Sequence, residues 1–170
     1  MQSRARRDKI KSFEEIRDVV RALRDRAEPP RIVTTNGAFD ILHSGHVKSL
    51  ENAKAFGDVL IVGLNSDNSV KHYKSPLRPV IPQQERAELL AALEVVDYVV
   101  IFDETTPNRL LEIIRPDVHV KSRSGYTGVE RTAVEGHGGR IELIDDIPGI
   151  STTRIIARIL EIERTEAGRA

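Results

Sequence analysis

Arg31-Ile-Val-Thr-Thr-Asn-Gly-Ala-Phe-Asp-Ile-Leu-His-Ser-Gly-His46 is the stretch on which the fold turns. Residues 31 to 35 read as a short buried strand, broken by Asn36-Gly37. An Asn-Gly pair often opens a hairpin, but this one leads into Phe39 to Gly45 and then a helical pattern. Val47, Leu50 and Ala53 recur at helical spacing as far as Phe56-Gly57. The unit is therefore strand, glycine turn, helix.

On both sides of this stretch the same unit recurs in kind. Asp58-Val-Leu-Ile-Val-Gly-Leu64 is a nearly continuous apolar strand ending at Asn65-Ser-Asp67. Unbroken apolar strands belong to parallel sheets covered on both faces. Next come a Pro-punctuated loop over 75 to 82, a helix over 83 to 93, a strand over 98 to 102, a helix over 107 to 114 and a strand over 118 to 121. Arg140-Ile-Glu-Leu143 adds a strand, and Ser151 to Glu163 a closing helix with apolar Ile155, Ile156, Ile159 and Leu160. Upstream, Ser12 with Glu15 forms a capping-box pattern, and Ile16, Val19, Val20 and Leu23 carry a helix over 12 to 27, stopped by Glu28-Pro29-Pro30. Alternating strands and helices predict an α/β fold, a single Rossmann-like, doubly wound parallel sheet with helices on both faces. In such sheets ligands bind beyond the carboxyl ends of the strands, where strand order reverses.

Composition narrows the chemistry. The chain has 170 residues, about one domain, with 26 Lys plus Arg against 26 Asp plus Glu and no Cys. Thiolate metal sites, disulfides and cysteine nucleophiles are excluded, and the lack of thiols fits a reducing, cytoplasmic setting. Zero formal net charge argues against nucleic acid or an anionic membrane as the main partner. No apolar run approaches the ~20 residues that span a bilayer. The uneven stretch is residues 1 to 11, where Arg4, Arg6, Arg7, Lys9 and Lys11 face only Asp8. It reads as a basic flexible tail ahead of one domain over 12 to 170. An organelle-targeting remnant and a nucleic-acid arm are the alternatives.

The first strand's exit carries no G-x-x-x-x-G-K-[ST] loop, and no G-x-G-x-x-G occurs anywhere in the chain. It offers instead His43 and His46 at a helix start with Gly45 between them. A helix N-terminus presents free N–H groups and a partial positive charge, and two imidazoles add donors, which suits a polyphosphate. Taken alone, the pair reads equally well as a structural feature of the helix start. Gly149-Ile-Ser-Thr-Thr-Arg154 opens the last helix with three hydroxyls, another place for phosphate oxygens or, in the plainer reading, an N-cap by Ser151.

Together these features resemble the cytidylyltransferase-like nucleotidyltransferase superfamily, and within it the heptose 1-phosphate adenylyltransferases. The resemblance runs from about Lys9 to Leu160 and includes Thr35 to His46, Gly57 to Val62, Asn65 to Lys71, Arg78-Pro-Val80, Glu85-Arg-Ala87, Val96 to Val100, Thr106-Pro107 and Pro116 to Lys121. It implies attack by a substrate phosphate oxygen on the α-phosphorus of a nucleoside triphosphate, ATP favoured, with pyrophosphate leaving. On this resemblance His43, His46 and Arg86 would be catalytic. Thr35, Asn36, Gly37, Ala38, Phe39, Gly45, Ser151, Thr152 and Thr153 would hold the nucleotide. Asp40, Asn65, Asp67, Lys74, Arg78 and Lys121 would face the sugar phosphate. Mg²⁺ is expected with the triphosphate, without a dedicated protein cage. A homodimer is expected by similarity.

The pattern departs from the resemblance after Lys121. The heptose enzymes have Gly-Gly-Asp-Tyr or a similar acidic turn, where this chain reads Ser122-Arg-Ser-Gly-Tyr126. That loop is where sugar specificity is expected. A nucleotide-binding regulatory module without transfer, and a cytidylyltransferase acting on another small phosphate alcohol, stay open as alternatives.

Overall fold

Val59–Asn65 is almost wholly buried, and a strand apolar on both faces needs helices above and below it. The computed structural model describes residues 6–167. In chain order the elements are α1 (Arg6–Lys9), β1 (Ile10–Lys11), α2 (Phe13–Arg24), β2 (Ile32–Gly37), α3 (Ser44–Lys54), β3 (Val59–Asn65), α4 (Asp67–Tyr73) and α5 (Gln83–Ala91). Beyond these lie β4 (Tyr98–Phe102), α6 (Asn108–Ile114), β5 (Val118–Ser122), a 3₁₀ turn (Arg123–Gly125), α7 (Arg131–Glu135), β6 (Arg140–Ile144) and α8 (Thr152–Ala167).

The six strands form one sheet in the order β1-β4-β3-β2-β5-β6, and every pairing is parallel. The expected doubly wound α/β architecture is what the chain adopts. From β2 the chain builds outward through β3 to β4, then returns to place β5 on the other side of β2. The switch point therefore lies between β2 and β5, where Val33 to Thr35 run beside Val118 to Val120. Leu50 and Ala53 of α3 pack with Ala87, Leu90 and Ala91 of α5 on one face. Ile16, Val20 and Leu23 of α2 pack with Leu110 and Ile114 of α6 on the other.

The capping box at α2 is present in full, with Glu15 N donating to Ser12 Oγ (3.2 Å) and Ser12 N to Glu15 Oε2 (2.7 Å). The expected basic flexible tail needs correction at its end. Ile10 and Lys11 pair with Val99 and Val100 as an edge strand, and the Lys9 ammonium donates to the carbonyls of Leu93 (3.0 Å) and Val96 (2.8 Å). Arg4 and the rest of residues 1–5 lie outside the described residues.

Candidate active site

At the carboxyl end of the sheet, a cavity of about 440 Å³ opens over the switch point. Its walls are the β2 exit, the start of α3, the end of β5 with the adjoining turn, and the start of α8. Two of these walls are helix N-termini, so backbone N–H groups and two positive dipole ends meet one space.

The β2 exit bends sharply. Phe39 (φ 46°) and Ile41 (φ 51°) both occupy the left-handed region, which disfavours side chains with a Cβ. Asp40 between them is fully buried. Its carboxylate accepts from Arg78 Nε (2.7 Å) and from the amides of Val80 and Ile81 (3.0 Å each to the nearer oxygen). Burial pushes the Asp40 carboxyl up, but those amide donors and the Arg78 guanidinium outweigh it and hold its pKa below the usual carboxylate value. Its carbonyl accepts from Thr152 Oγ1 at 2.7 Å, which ties the start of α8 to the same bend.

His43 caps α3, with its Nδ1 accepting from the amide of His46 (3.3 Å). A neutral ring that accepts at Nδ1 carries its proton on Nε2, so a donor remains for the cavity. The His46 ring stacks on it, centroids 3.8 Å apart and planes 18° from parallel. Burial, then the neighbouring His43, lowers the His46 pKa to about 4, and burial lowers that of His43. Both rings are neutral at pH 7. Gly45 makes the stack possible, because a Cβ there would lie 3.0 Å from the His43 ring and 3.1 Å from Ile150 Cγ2.

Thr35, Asn36, Gly37, Ala38, Phe39, Gly45, Ser151, Thr152 and Thr153, expected at the nucleotide, all line the cavity together with His43, His46, Asp40, Lys74 and Lys121. Four expected site residues take other places. Arg86 does not line the cavity; it is 1% exposed. It donates through Nε to the Ile81 carbonyl (2.8 Å), through Nη1 to the carbonyls of Ala38 and Asn65 (3.0 Å for the latter), and through Nη2 to Asp67 Oδ1 (2.7 Å). It braces the β2 exit from behind, so the expected phosphate contact is replaced by an internal tie. Asp67 is thereby spent on Arg86. Buried Asn65 donates to Ser69 Oγ (2.9 Å), and Arg78 is spent on Asp40. Ser151 Oγ accepts from the Arg154 amide (3.3 Å), as an N-cap does.

Ser122 and Gly125, of the loop where sugar specificity is expected, also line the cavity, as do residues not foreseen: Ser49, Asp146, Ile147 and Ile150. Asp146 and Ile147 come just after β6, so the rule of strand carboxyl ends, applied to that last strand, points to them. As for metal, no group of three or more His, Cys, Asp or Glu residues able to hold an ion occurs among the described residues. Both Asp40 oxygens are occupied, which leaves Asp146 as a cavity carboxylate with no protein partner among the described residues. Such a donor set fits a Mg²⁺ carried mainly by substrate phosphates.

The model of the cytidylyltransferase-like family matches residues 34–158. Bifunctional protein HldE of Syntrophotalea carbinolica is 51% identical over 155 residues, 90% of this chain and 31% of the relative. Bifunctional protein HldE of Nitratiruptor sp. is 53% identical over 150 residues, 88% of this chain and 32% of that protein. The chain thus spans about a third of the length of these curated relatives. Among solved structures, a lipopolysaccharide core biosynthesis protein from Thermoplasma volcanium superposes with a TM-score of 0.60 at 23% identity, covering 71% of this chain and 99% of that one. Pantoate-beta-alanine ligase from Francisella tularensis, complexed with beta-gamma ATP and beta-alanine, gives 0.56 at 14% identity, covering 91% and 78%. These two likenesses concern the fold.

Proposed function

The chain belongs to the cytidylyltransferase-like family, and from that premise we propose that it transfers a nucleoside monophosphate from a triphosphate, ATP, to a sugar phosphate of the D-glycero-D-manno-heptose 1-phosphate type. The observation that carries the reading is the stacked pair His43 and His46 at the start of α3, sharing one cavity with the start of α8 and Lys121. About half identity to the HldE proteins supports the choice of acceptor.

The acceptor's phosphate oxygen attacks the α-phosphorus in line, forming one P–O bond. The bond from the α-phosphorus to the bridging oxygen breaks, and pyrophosphate leaves with that electron pair. Catalysis of this kind rests on positioning and on donors aimed at developing charge. His43 Nε2–H, the N–H groups at the starts of α3 and α8, and the Lys74 ammonium supply them. The β2 exit from Thr35 to Phe39, with Gly45, seats the nucleotide, and Ser151, Thr152 and Thr153 face its outer phosphates. Lys121 takes the acceptor. A Mg²⁺ bound with the triphosphate would neutralise part of its charge, and Asp146 is the carboxylate that would be available to hold it.

Incubating the chain and Mg²⁺ with a panel of aldose 1-phosphates and the four triphosphates, and measuring pyrophosphate, tests the reading. Release with ATP and a heptose 1-phosphate is the expected result. No turnover with any pair, while nucleotide still binds, overturns it and favours a binding module.

The proposal includes a homodimer in the cytoplasm. α8 leaves Ile159, Leu160 and Ile162 more than 40% exposed, an apolar strip that a second copy would cover. Sedimentation of the chain and of Leu160→Glu reads this directly. No helix among the described residues is long and apolar enough to cross a membrane.

A further inference from the structure

Lys121 ends β5 beside the switch point and is held from two sides. Its Nζ donates to Asn36 Oδ1 (3.0 Å) and lies 3.2 Å from Glu130 Oε1. An ammonium has three N–H groups; Asn36 takes one and the Glu130 carboxylate holds the head as an ion pair, which leaves N–H groups for the cavity that Lys121 lines. Glu130 is not part of that lining. It sits just before α7, 3% exposed, and its second oxygen, Oε2, is buried without a partner.

A buried carboxylate with one oxygen unsatisfied is costly. The packing of α7 does not require it, since Ala133 and Val134 bury that element against Leu111 and Ile141. What the carboxylate does is oppose a flexible four-carbon cation that would otherwise extend into water. Asn36 from β2 and Glu130 from the start of α7 together fix the ammonium over the junction of β2 and β5. We infer that Glu130 is a positioning residue for the acceptor, holding Lys121 so that its free N–H meets the phosphate of an aldose 1-phosphate. The inference rests on the transferase reading. It gives the sugar-phosphate end of the cavity a cation already paired with a carboxylate, suited to a single phosphate monoester, while the triphosphate lies against the two helix starts and Lys74.

The test varies the acceptor at saturating triphosphate. Glu130→Gln keeps shape and removes charge. It should raise the acceptor KM about tenfold, the worth of one hydrogen bond to a charged group, with the triphosphate KM unmoved. Lys121→Met should raise the acceptor KM at least as far. In the Lys121→Met background, Glu130→Gln should add nothing, since a residue acting through another is non-additive with it. A purely structural Glu130 would lower Tm, weaken both substrates and stay additive. Either an unchanged acceptor KM or additivity overturns the inference. If no acceptor turns over at all, the transferase reading fails, and calorimetric titration with inorganic phosphate then decides this point separately. Weaker phosphate binding by Glu130→Gln than by the parent chain supports it, and equal binding overturns it.

Discussion

His119 and His46 should make the protein acid-labile well above the range where carboxylates protonate. His119 is fully buried in β5 with Nδ1 2.8 Å from Thr34 Oγ1 and Nε2 unpartnered. Burial, with a smaller push from Lys121, lowers its pKa from 6.5 to about 3, and that of His46 falls to about 4. In the unfolded chain both return to about 6.5. Between the folded and unfolded values the unfolded state binds more protons, so stability is complete above pH 6.5 and drains away as pH falls toward the folded pKa.

Taking the chain from pH 7 to pH 5 should cost about 2 kcal/mol per histidine, about 4 kcal/mol for the pair. His43, lowered in the same direction, adds to that loss. Asp40 acts in the same direction but over a lower pH window. Its depressed pKa gives stability that is lost only below the unfolded carboxylate value, so it contributes little to a comparison made at pH 5. Urea unfolding monitored by far-ultraviolet circular dichroism suits a chain without Trp. His119→Gln retains a hydrogen-bonding group toward Thr34 and removes one titration, and should cut the pH-dependent loss roughly in half. An unfolding free energy that barely changes between the two pH values, or an equal loss in His119→Gln, refutes the reasoning.

Four further outcomes are expected. His46→Ala removes the ring stacked on His43 and should lower kcat by about a hundredfold or more, the size of losing the preorganised donor that the stack holds in place, with the unfolding midpoint close to that of the parent; an unchanged kcat removes the histidine pair from the chemistry. Gly45→Ala places a methyl 3.0 Å from the His43 ring and should cost about 1–3 kcal/mol of stability as the stack shifts, with kcat/KM falling alongside; full activity would mean that the stack is dispensable. Arg86→Met strips partners from Asp67 and three carbonyls and should destabilise by about 3–5 kcal/mol in urea unfolding, whereas a lost kcat at parental stability would return Arg86 to direct catalysis. Thr152→Val removes the 2.7 Å bond to the Asp40 carbonyl and should cost about 1 kcal/mol, with a weaker nucleotide Kd by calorimetry if the tie seats α8 for phosphate.

The parallel sheet was legible because its information is dense and local. The unbroken run at 58 to 64 and the strand, glycine turn and helix at 31 to 56 have few competing readings. Short elements were not. α4 has seven residues and α7 five, and the polar start Asn65-Ser-Asp67 looks like loop even though Ser66 Oγ caps α4 by accepting from Ser69 N. β1 is two residues long and is defined by its partner, Val99-Val100, which lies far away in sequence. Residue type proved a poorer guide than position for Arg86. It shares its helix face with Leu90, and with Ala87 and Ala91 beside them, the spacing that marks a buried face. Read by period, Arg86 belongs inside; it was the family resemblance that suggested the phosphates. Glu130 left no comparable signal, since its partner Lys121 meets it only once α7 has packed against α6 and β6.

The bend after β2 explains how a chain of zero net charge could still build the proposed phosphate site, since a small anion answers to a local field. Left-handed conformations at Phe39 and Ile41 each cost on the order of 1–3 kcal/mol, and the surroundings must hold them. Asp40 draws in Arg78 and the amides of Val80 and Ile81, while Arg86 clamps the Ala38 carbonyl and Thr152 the Asp40 carbonyl. Most charges near the bend are thus cancelled in pairs inside the fold: Arg78 with Asp40, Arg86 with Asp67, Lys121 with Glu130. Beside the charged Lys74, Lys121 and Asp146, the groups facing the cavity are mainly uncharged donors: imidazole, hydroxyl and backbone N–H. These donors need no counter-ion while the site is empty, and they gain strength when a phosphate displaces water from it.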